Sequence, residues 1–354
     1  MISGSILAIG FLISVIETKS RKPIATAIPI PIAIPTNSVW GCCLEELKYM
    51  HTVGGVRAWA LEELKRARID SPALTADLLL GFVLGWDRVR LLSHTEQEMD
   101  EASWDRLRRM TQRRANGEPL QYLTGEQEFF GLAFKVTPAV LIPRPETEIL
   151  VEQAIDLIRN HAPSNARFAD VGTGSGCIAV SVAHHIPSSV GWAVDFSAVA
   201  LKIAQENAKL HGVESRIGFG QSDLLACFAP KPCLDFVLCN PPYIALEEYD
   251  NLPTEVKNHE PHEALFGGAS GLDVYRRLVP EAAVRLVAGG YLLLEVGMGQ
   301  ASQVGQLIEK EGLSLQPVLH DLQGIPRCLI GQKYPGRNDG QDSHNRRKAS
   351  GRTG

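Results

Sequence analysis

A chain of 354 residues, 45% hydrophobic and 21% charged, has an ordinary globular composition, with material for a sizeable core and length for two domains. Its formal net charge of -5 supplies no overall field to hold a nucleic-acid backbone, so a protein or small-molecule substrate fits better, with room left for a local basic patch. The seven cysteines are odd in number and none forms a C-x-x-C pair, which points away from zinc or redox chemistry and toward a reducing, cytoplasmic compartment.

Ile2 to Ile16 is an uncharged apolar run, shorter than the ~20 residues that span a bilayer, followed by Lys19, Arg21 and Lys22. Three readings stay open. A secretory signal wants its basic residues before the apolar run rather than after it. A membrane anchor at residues 2–16 would keep the rest of the chain on the cytoplasmic side. The preferred reading makes residues 1–49 an extension outside the working protein, because the repeat through Pro29, Pro31 and Pro35 builds neither helix nor central strand. At the other end, residues 334–354 are rich in Gly, Asn, Asp, Ser and Arg and are expected to be disordered.

Residues 50–120 are expected to form a small helical bundle. Val56, Trp59, Leu61 and Leu64 recur at helical spacing, and Ser71 before Pro72 reads as an N-cap with proline at the first helical position. Leu78, Leu79, Leu80, Val83 and Leu84 are expected to fill the bundle's core. Arg106, Arg108, Arg109, Arg113 and Arg114 read either as a solvated face or as a patch for an acidic partner. Short apolar bursts punctuated by Gly131 and Pro138 make residues 121–145 a β-hairpin connector.

From Glu146 to residue 333 helical and apolar segments alternate. Helices are expected at Glu146–Asn160, Cys177–His185 and Ala198–Leu210. Strands are expected at Phe168–Val171, Gly191–Asp195, Asp235–Cys239, Tyr291–Val296, Leu315–Leu319 and Cys328–Gly331. This alternation predicts an α/β fold with an open, mainly parallel, Rossmann-like sheet. Ligands of such sheets bind beyond the carboxyl ends of the strands, which singles out the loops after Val171, Val194 and Cys239.

The first of these loops is Gly172, Thr173, Gly174, Ser175, Gly176, running straight into a helix. Its glycines let a ligand approach the backbone closely. A nicotinamide dinucleotide would want glycine or alanine at Cys177, so the spacing suits S-adenosyl-L-methionine better. Asp195 ends the next strand, where a carboxylate can accept from both ribose hydroxyls; alternatively it is a helix N-terminal charge beside Ser197. Asp223 is placed to meet the adenine amino group, with Leu224 on the ring.

Asn240, Pro241, Pro242 and Tyr243 follow the strand Asp235–Cys239, and the prolines stiffen the turn and remove donors. A planar amide or amino nitrogen is a poor nucleophile, since its lone pair is delocalised. A site must therefore hold its N–H groups on acceptors while aiming the nitrogen at the methyl. The Asn240 side-chain oxygen and the Pro241 carbonyl suit that task, and Tyr243 can pack on the flat amide. Positioning for in-line displacement is the expected mode of catalysis. His259 and His262 flank Glu260 and Pro261, a spacing in which proline spoils a helical metal-ligand face, so no metal is expected.

With these residues in view the chain resembles the HemK/PrmC family of protein-(glutamine N5) methyltransferases. The resemblance runs from about Met50 to Lys333. It rests on EPLQYLTG (Glu118 to Gly125), Phe129 to Leu132, LIPRPETE (Leu141 to Glu148), DVGTGSG (Asp170 to Gly176), NPPYI (Asn240 to Ile244) and EPHEALFGGASGLDVY (Glu260 to Tyr275). It implies a class I S-adenosyl-L-methionine-dependent domain at 146–333, a substrate-recognising helical domain, and the glutamine of the Gly-Gly-Gln loop of class 1 peptide chain release factors as acceptor. It also implies that Asn240 to Tyr243 bind the glutamine amide, while Gly172 to Gly176 and Asp195 bind the cofactor. The stretch Arg144, Pro145, Glu146, Thr147, Glu148 separates this reading from sister enzymes that act on a ribosomal-protein glutamine. Leu224 departs from members with tryptophan there, and the leader has no counterpart in compact bacterial forms.

The main rival is an enzyme methylating a nucleobase amino group, which would want a basic or aromatic groove. A catalytically silent binding protein is the rival from another class. A monomer, with no direct nucleic-acid partner, is expected.

Overall fold

The computed structural model describes residues 51–162 and 164–334. The expectations for residues 1–49 and for the chain beyond Tyr334 lie outside the described residues.

The amino-terminal part is helical. Helix α1 (Val53–Arg66) begins at Thr52, whose hydroxyl accepts the Gly55 N–H and so caps the first turn. Helix α2 (Pro72–Leu84) starts differently from the sequence expectation: Ser71 sits in the left-handed region at φ 49° and its side chain makes no capping bond. Proline at the first helical position, rather than the serine hydroxyl, marks that start. Helices α3 (Arg88–Ser93), α4 (Glu101–Ala115) and α5 (Leu120–Thr124) complete the group. Leu79 and Leu80 are buried against Val53, Val56, Leu91 and Leu107, with Val83 and Leu84 at the margin. Leu78, expected in the core, is 46% exposed, because one helix face cannot hold three successive residues.

Strands β1 (Glu126–Phe129) and β2 (Leu132–Lys135) form an antiparallel hairpin. Its two-residue turn has positive φ at both Phe130 (52°) and Gly131 (74°), the geometry that matches strand twist. Phe129 and Phe134 bury into the main core. The Asn207 amide, from the eighth helix below, bonds both backbone groups of Lys135 and ties the hairpin down.

The larger part is one sheet. Its strands are β3 (Arg167–Val171), β4 (Val190–Asp195), β5 (Ile217–Gln221), β6 (Leu234–Cys239), β7 (Leu286–Glu295), β8 (Leu313–Leu315), β9 (Leu319–His320) and β10 (Pro326–Lys333). The order is β5-β4-β3-β6-β7-β10-β8, with β9 also on β10. The pairs from β5 to β7 are parallel and those of β10 antiparallel. The chain runs outward through β3, β4 and β5, then returns to start β6 on the other side of β3, which opens a crevice at their carboxyl ends.

Helices α6 (Thr147–His161), α7 (Cys177–His185) and α8 (Ala198–Leu210) contribute to the core on one face, with Phe168, Phe236, Leu238 and Leu293. Short helices α9 (Leu246–Tyr249), α10 (Thr254–His259) and α11 (His262–Leu265) follow β6. Helices α12 (Asp273–Arg285) and α13 (Ala301–Lys310) cover the other face, where Val237, Leu292 and Leu294 point. Residues of β6 and β7 thus alternate between two cores, the period-two signature of a sheet buried on both sides.

The expected strand Leu315–Leu319 is broken into β8 and β9, since Pro317 between them cannot donate to a ladder. Strand β5 carries Gly218 and Gly220, which dilute its apolar signal. A Cβ at Gly218 would stand 2.9 Å from the Trp192 ring, so the glycine makes room for the indole.

Candidate active site

The glycine loop after β3 is held from beneath. Asp170, fully buried, accepts the Thr173 hydroxyl at 2.6 Å and the Ala179 N–H at 3.1 Å. Gly172, Gly174 and Gly176 all have positive φ, at 71°, 54° and 82°. The first two face open space, whereas a Cβ on Gly176 would press to 3.0 Å on Ala204 of α8. The loop therefore needs glycine twice for ligand-side conformation and once for helix packing. Asp195 at the end of β4 accepts the Gly174 N–H at 2.9 Å and the Ser197 N–H at 2.8 Å. It is thus both the loop's brace and a helix-start residue, with carboxylate lone pairs to spare.

Burial pushes the Asp170 carboxyl up to about 7, and the nearby Asp195 pushes it the same way; burial also raises Asp195. Asp170 Oδ1 and Ser175 Oγ are buried with no partner among the described residues, polar atoms that a bound polar ligand can satisfy. The residues present fit S-adenosylmethionine. Asp223 and Leu224 stand next to the glycine loop, since the Ser222 N–H donates to the Asp195 carbonyl. Asp223 is exposed and ion-paired to Arg277 at 2.6 Å, while Leu224 holds φ 49° and is half-buried. Phe196, next to Asp195 and 73% exposed, presents an aromatic ring at the same edge, and it was not among the residues singled out from sequence.

Asn240 follows β6 directly, and β6 pairs with β3 at Leu238–Asp170, so the turn stands beside the glycine loop. The Asn240 Nδ2 donates to Thr147 Oγ1 at 3.0 Å, and that hydroxyl donates to Glu295 Oε2 at 2.6 Å. No described residue donates to Asn240 Oδ1 or to the Pro241 carbonyl. Both residues line a cavity of about 200 Å³ walled by Leu141, Leu252, Val256 and Leu265, with Arg144 at its side. Tyr243 lines it too, and burial together with Glu295 pushes its phenol far above the usual range, so it remains neutral.

The turn is clamped from behind. The Ile244 N–H donates to the Leu265 carbonyl and the Gly267 N–H to the Ile244 carbonyl, both at 2.9 Å. Gln300 Nε2 donates to the Tyr243 carbonyl at 2.8 Å. Gly267 and Gly271 admit this approach: a Cβ on the former would lie 2.7 Å from the Pro242 carbonyl, and on the latter 2.2 Å from that of Tyr243. Gly267 and Gly271 therefore let a second loop lie against the turn.

The residues after β6 also reach the helical bundle and the connector. Arg114, 9% exposed at its side chain, pairs with Glu255 at 2.8 Å, and Arg144 pairs with the buried Glu260. Arg113 is bidentate to Glu118, Arg108 pairs with Asp105 and Arg106 lies over the Phe82 ring. The arginine run is thus largely committed within the molecule rather than forming one free patch. His262 packs its ring against Tyr249 and Phe266.

Thr147 and Glu295 were not legible as partners of Asn240 from sequence. The one signal is a carboxylate, Glu295, in an otherwise apolar run from Leu292 to Val296. Among the described residues no helix is long and apolar enough to cross a membrane.

Residues 56–125 match the family pattern of the PrmC N-terminal domain, and residues 147–255 that of the methyltransferase small domain. The chain is 43% identical over 276 residues to a release factor glutamine methyltransferase of Koribacter versatilis, covering 77% of this chain and 96% of that protein. It is 39% identical over 286 residues to the enzyme of that name from Bradyrhizobium diazoefficiens, covering 80% and 96%. Among solved structures, a methyltransferase from Pyrococcus furiosus matches at 17% identity and TM-score 0.44, covering 58% of this chain and 91% of that one. With its Rossmann-like methyltransferase fold and relatives matched over 96% of their length, the chain belongs to the S-adenosylmethionine-dependent release factor glutamine methyltransferase family.

Proposed function

We propose that this protein methylates the side-chain amide nitrogen, N5, of the glutamine in the Gly-Gly-Gln loop of a class 1 peptide chain release factor. The observation that carries the reading is the pair of uncommitted acceptors, Asn240 Oδ1 and the Pro241 carbonyl, on a clamped turn beside the glycine cradle. Two acceptors on one rigid turn match the two N–H groups of a carboxamide. S-adenosylmethionine, when bound, supplies an electrophilic methyl on a sulfonium sulfur.

Gly172 to Gly176 and Asp195 are assigned to hold that cofactor, with Asp223 and Leu224 at its adenine end. Asn240 and Pro241 hold the acceptor amide, Pro242 stiffens the turn, and the neutral Tyr243 ring lies along the amide plane. Methylation forms a C–N bond, leaves the sulfur with the bonding pair as a neutral thioether, and releases one N–H proton. No strongly basic side chain is needed, because the amide nitrogen becomes acidic as the bond forms. Positioning, worth up to ~7–11 kcal/mol of barrier in well-oriented reactions, is the main contribution of the chain.

The helical bundle of residues 50–120 is assigned to recognise the factor, which its Arg114–Glu255 tie to the cavity wall supports. A planar amino group on a nucleobase would meet the same two acceptors, but the relatives are named for release factor glutamine. The proposed place of work is the cytosol, beside the translation machinery, in keeping with a cysteine pattern that has no C-x-x-C pair.

The test uses labelled S-adenosylmethionine with a release factor and with the same factor carrying alanine in place of the loop glutamine. Label is expected only in the intact factor, with near-total loss in Asn240→Ala. Equal labelling of both factors would overturn the reading.

A further inference from the structure

We propose that Glu295 and Thr147 form a one-way hydrogen-bond relay that fixes which end of the Asn240 amide faces the acceptor; both are positioning residues, and the inference rests on the glutamine reading above. An asparagine amide has a donor end and an acceptor end of nearly the same shape. If the wrong end faced the cavity, N–H groups would oppose the N–H groups of the acceptor amide.

The relay removes that ambiguity. When Glu295 is ionised its carboxylate has only acceptors, so the single proton of the Thr147 hydroxyl is then committed to it, 2.6 Å away. What the hydroxyl then offers Asn240 is a lone pair, and only the NH2 end can meet it, as it does at 3.0 Å. Flipping the amide would set its oxygen against that lone pair. Oδ1 is thereby turned to the cavity, alongside the Pro241 carbonyl. Neutral–charged and neutral–neutral bonds in series reinforce each other in a buried setting.

Three separate elements have been brought together for this. Thr147 is the first residue of α6 and is 2% exposed, Glu295 ends β7 at 1%, and Asn240 follows β6. Strands β6 and β7 are paired at Cys239–Leu294, which sets Asn240 and Glu295 side by side. The Tyr275 hydroxyl donates to the Glu295 carbonyl at 2.8 Å and pins the end of the strand. A carboxylate at the end of a strand of leucines weakens the fold relative to an apolar residue of its size, so its presence calls for a function. Polarising the relay is that function.

The experiment compares the full chain with Thr147→Val, which keeps the shape and removes the hydroxyl, and Thr147→Ser, which keeps the hydroxyl. Substrates are labelled S-adenosylmethionine and an intact release factor. Thr147→Val is expected to lower kcat about 100-fold, the scale of a misplaced reacting group, while cofactor affinity by calorimetry and KM for the factor stay near wild type. Thr147→Ser restores most of the rate. A Thr147→Val enzyme as fast as wild type, or one that loses cofactor binding in step with rate, overturns the relay. So does equal loss in the valine and serine variants, which would assign the position to packing. Failure of the wild-type enzyme to label the factor would instead overturn the glutamine reading.

Discussion

Arg114 of α4 and Glu255 of α10 meet at 2.8 Å across 141 residues of chain. Arg114 also donates to the Glu118 carbonyl at 2.9 Å, so the guanidinium is shared between the bundle's edge and the cavity wall. Together with Arg144–Glu260, it fastens the segment that carries Val256 to the rest of the molecule. Arg114→Met removes the tie and leaves Glu255 unpaired. Thermal or denaturant unfolding should show a loss of ~1–3 kcal/mol. Steady-state kinetics should show a raised KM for the release factor, with kcat at saturating factor less affected.

Gly271 has φ 70° and lies so close to the turn that a Cβ would stand 2.2 Å from the Tyr243 carbonyl. Gly271→Ala must move either its own loop or the Asn240–Tyr243 turn, at a cost of ~1–3 kcal/mol of backbone strain. The expected outcome is a folded protein that binds S-adenosylmethionine and labels the release factor at least about tenfold more slowly. Calorimetry for the cofactor and a single-turnover rate separate the two effects.

Gly174 also has positive φ, at 54°, yet nothing lies within 4 Å of where its Cβ would be. Gly174→Ala therefore costs the fold only ~1–2 kcal/mol while filling space on the ligand side of the loop. Cofactor affinity should fall by about tenfold or more, a loss of ~1.4 kcal/mol or greater. Unaltered affinity would show that the cofactor lies elsewhere.

Burial raises the Glu295 carboxyl to about 7; the Thr147 bond and Arg144 and Arg327 work against the rise, and Glu146 adds to it. Tyr243, Tyr275, Cys239 and Cys328 also face it, with their own ionisations pushed far upward by burial. The folded form thus holds a proton between the ordinary carboxyl value of 4.5 and about 7 that the unfolded chain has released. Stability from this group is greatest below the unfolded value and falls as pH rises through that window. Glu295→Gln should then be the more stable protein near pH ~8, by on the order of 1–3 kcal/mol, with the difference closing toward pH ~4.5. Activity runs the other way. As pH falls below about 7 the carboxyl becomes a donor, the relay loses its polarity and kcat at saturating cofactor falls. That acid limb should be absent from Glu295→Gln.

Much of this was legible in the chain. The glycine loop, Asp195 and the Asn240 turn each sit at a strand end, and strand ends are readable from short apolar runs bounded by turn residues. The sheet's alternation was likewise visible in β3, β4 and β6. What could not be read were relations that only pairing creates. Thr147 lies 93 positions from Asn240, and neither residue alone announces the other. The glycines at 267 and 271 look like a flexible stretch until the turn they accommodate is seen. Ser71 and Leu78 misled for local reasons, a cap without its bond and a leucine run longer than one helix face. The pairing of Asp223 with Arg277 on α12 is another relation that no local pattern indicates.

The most direct test of the central claim is to map the methyl group itself. After incubation of the full chain with S-adenosylmethionine and a release factor, tandem mass spectrometry of the peptide spanning its Gly-Gly-Gln loop should place one added methyl on the glutamine side chain, and none when Asn240 is replaced by alanine. A methyl found on another residue, or a loop glutamine left unmodified while the cofactor is consumed, would contradict the account.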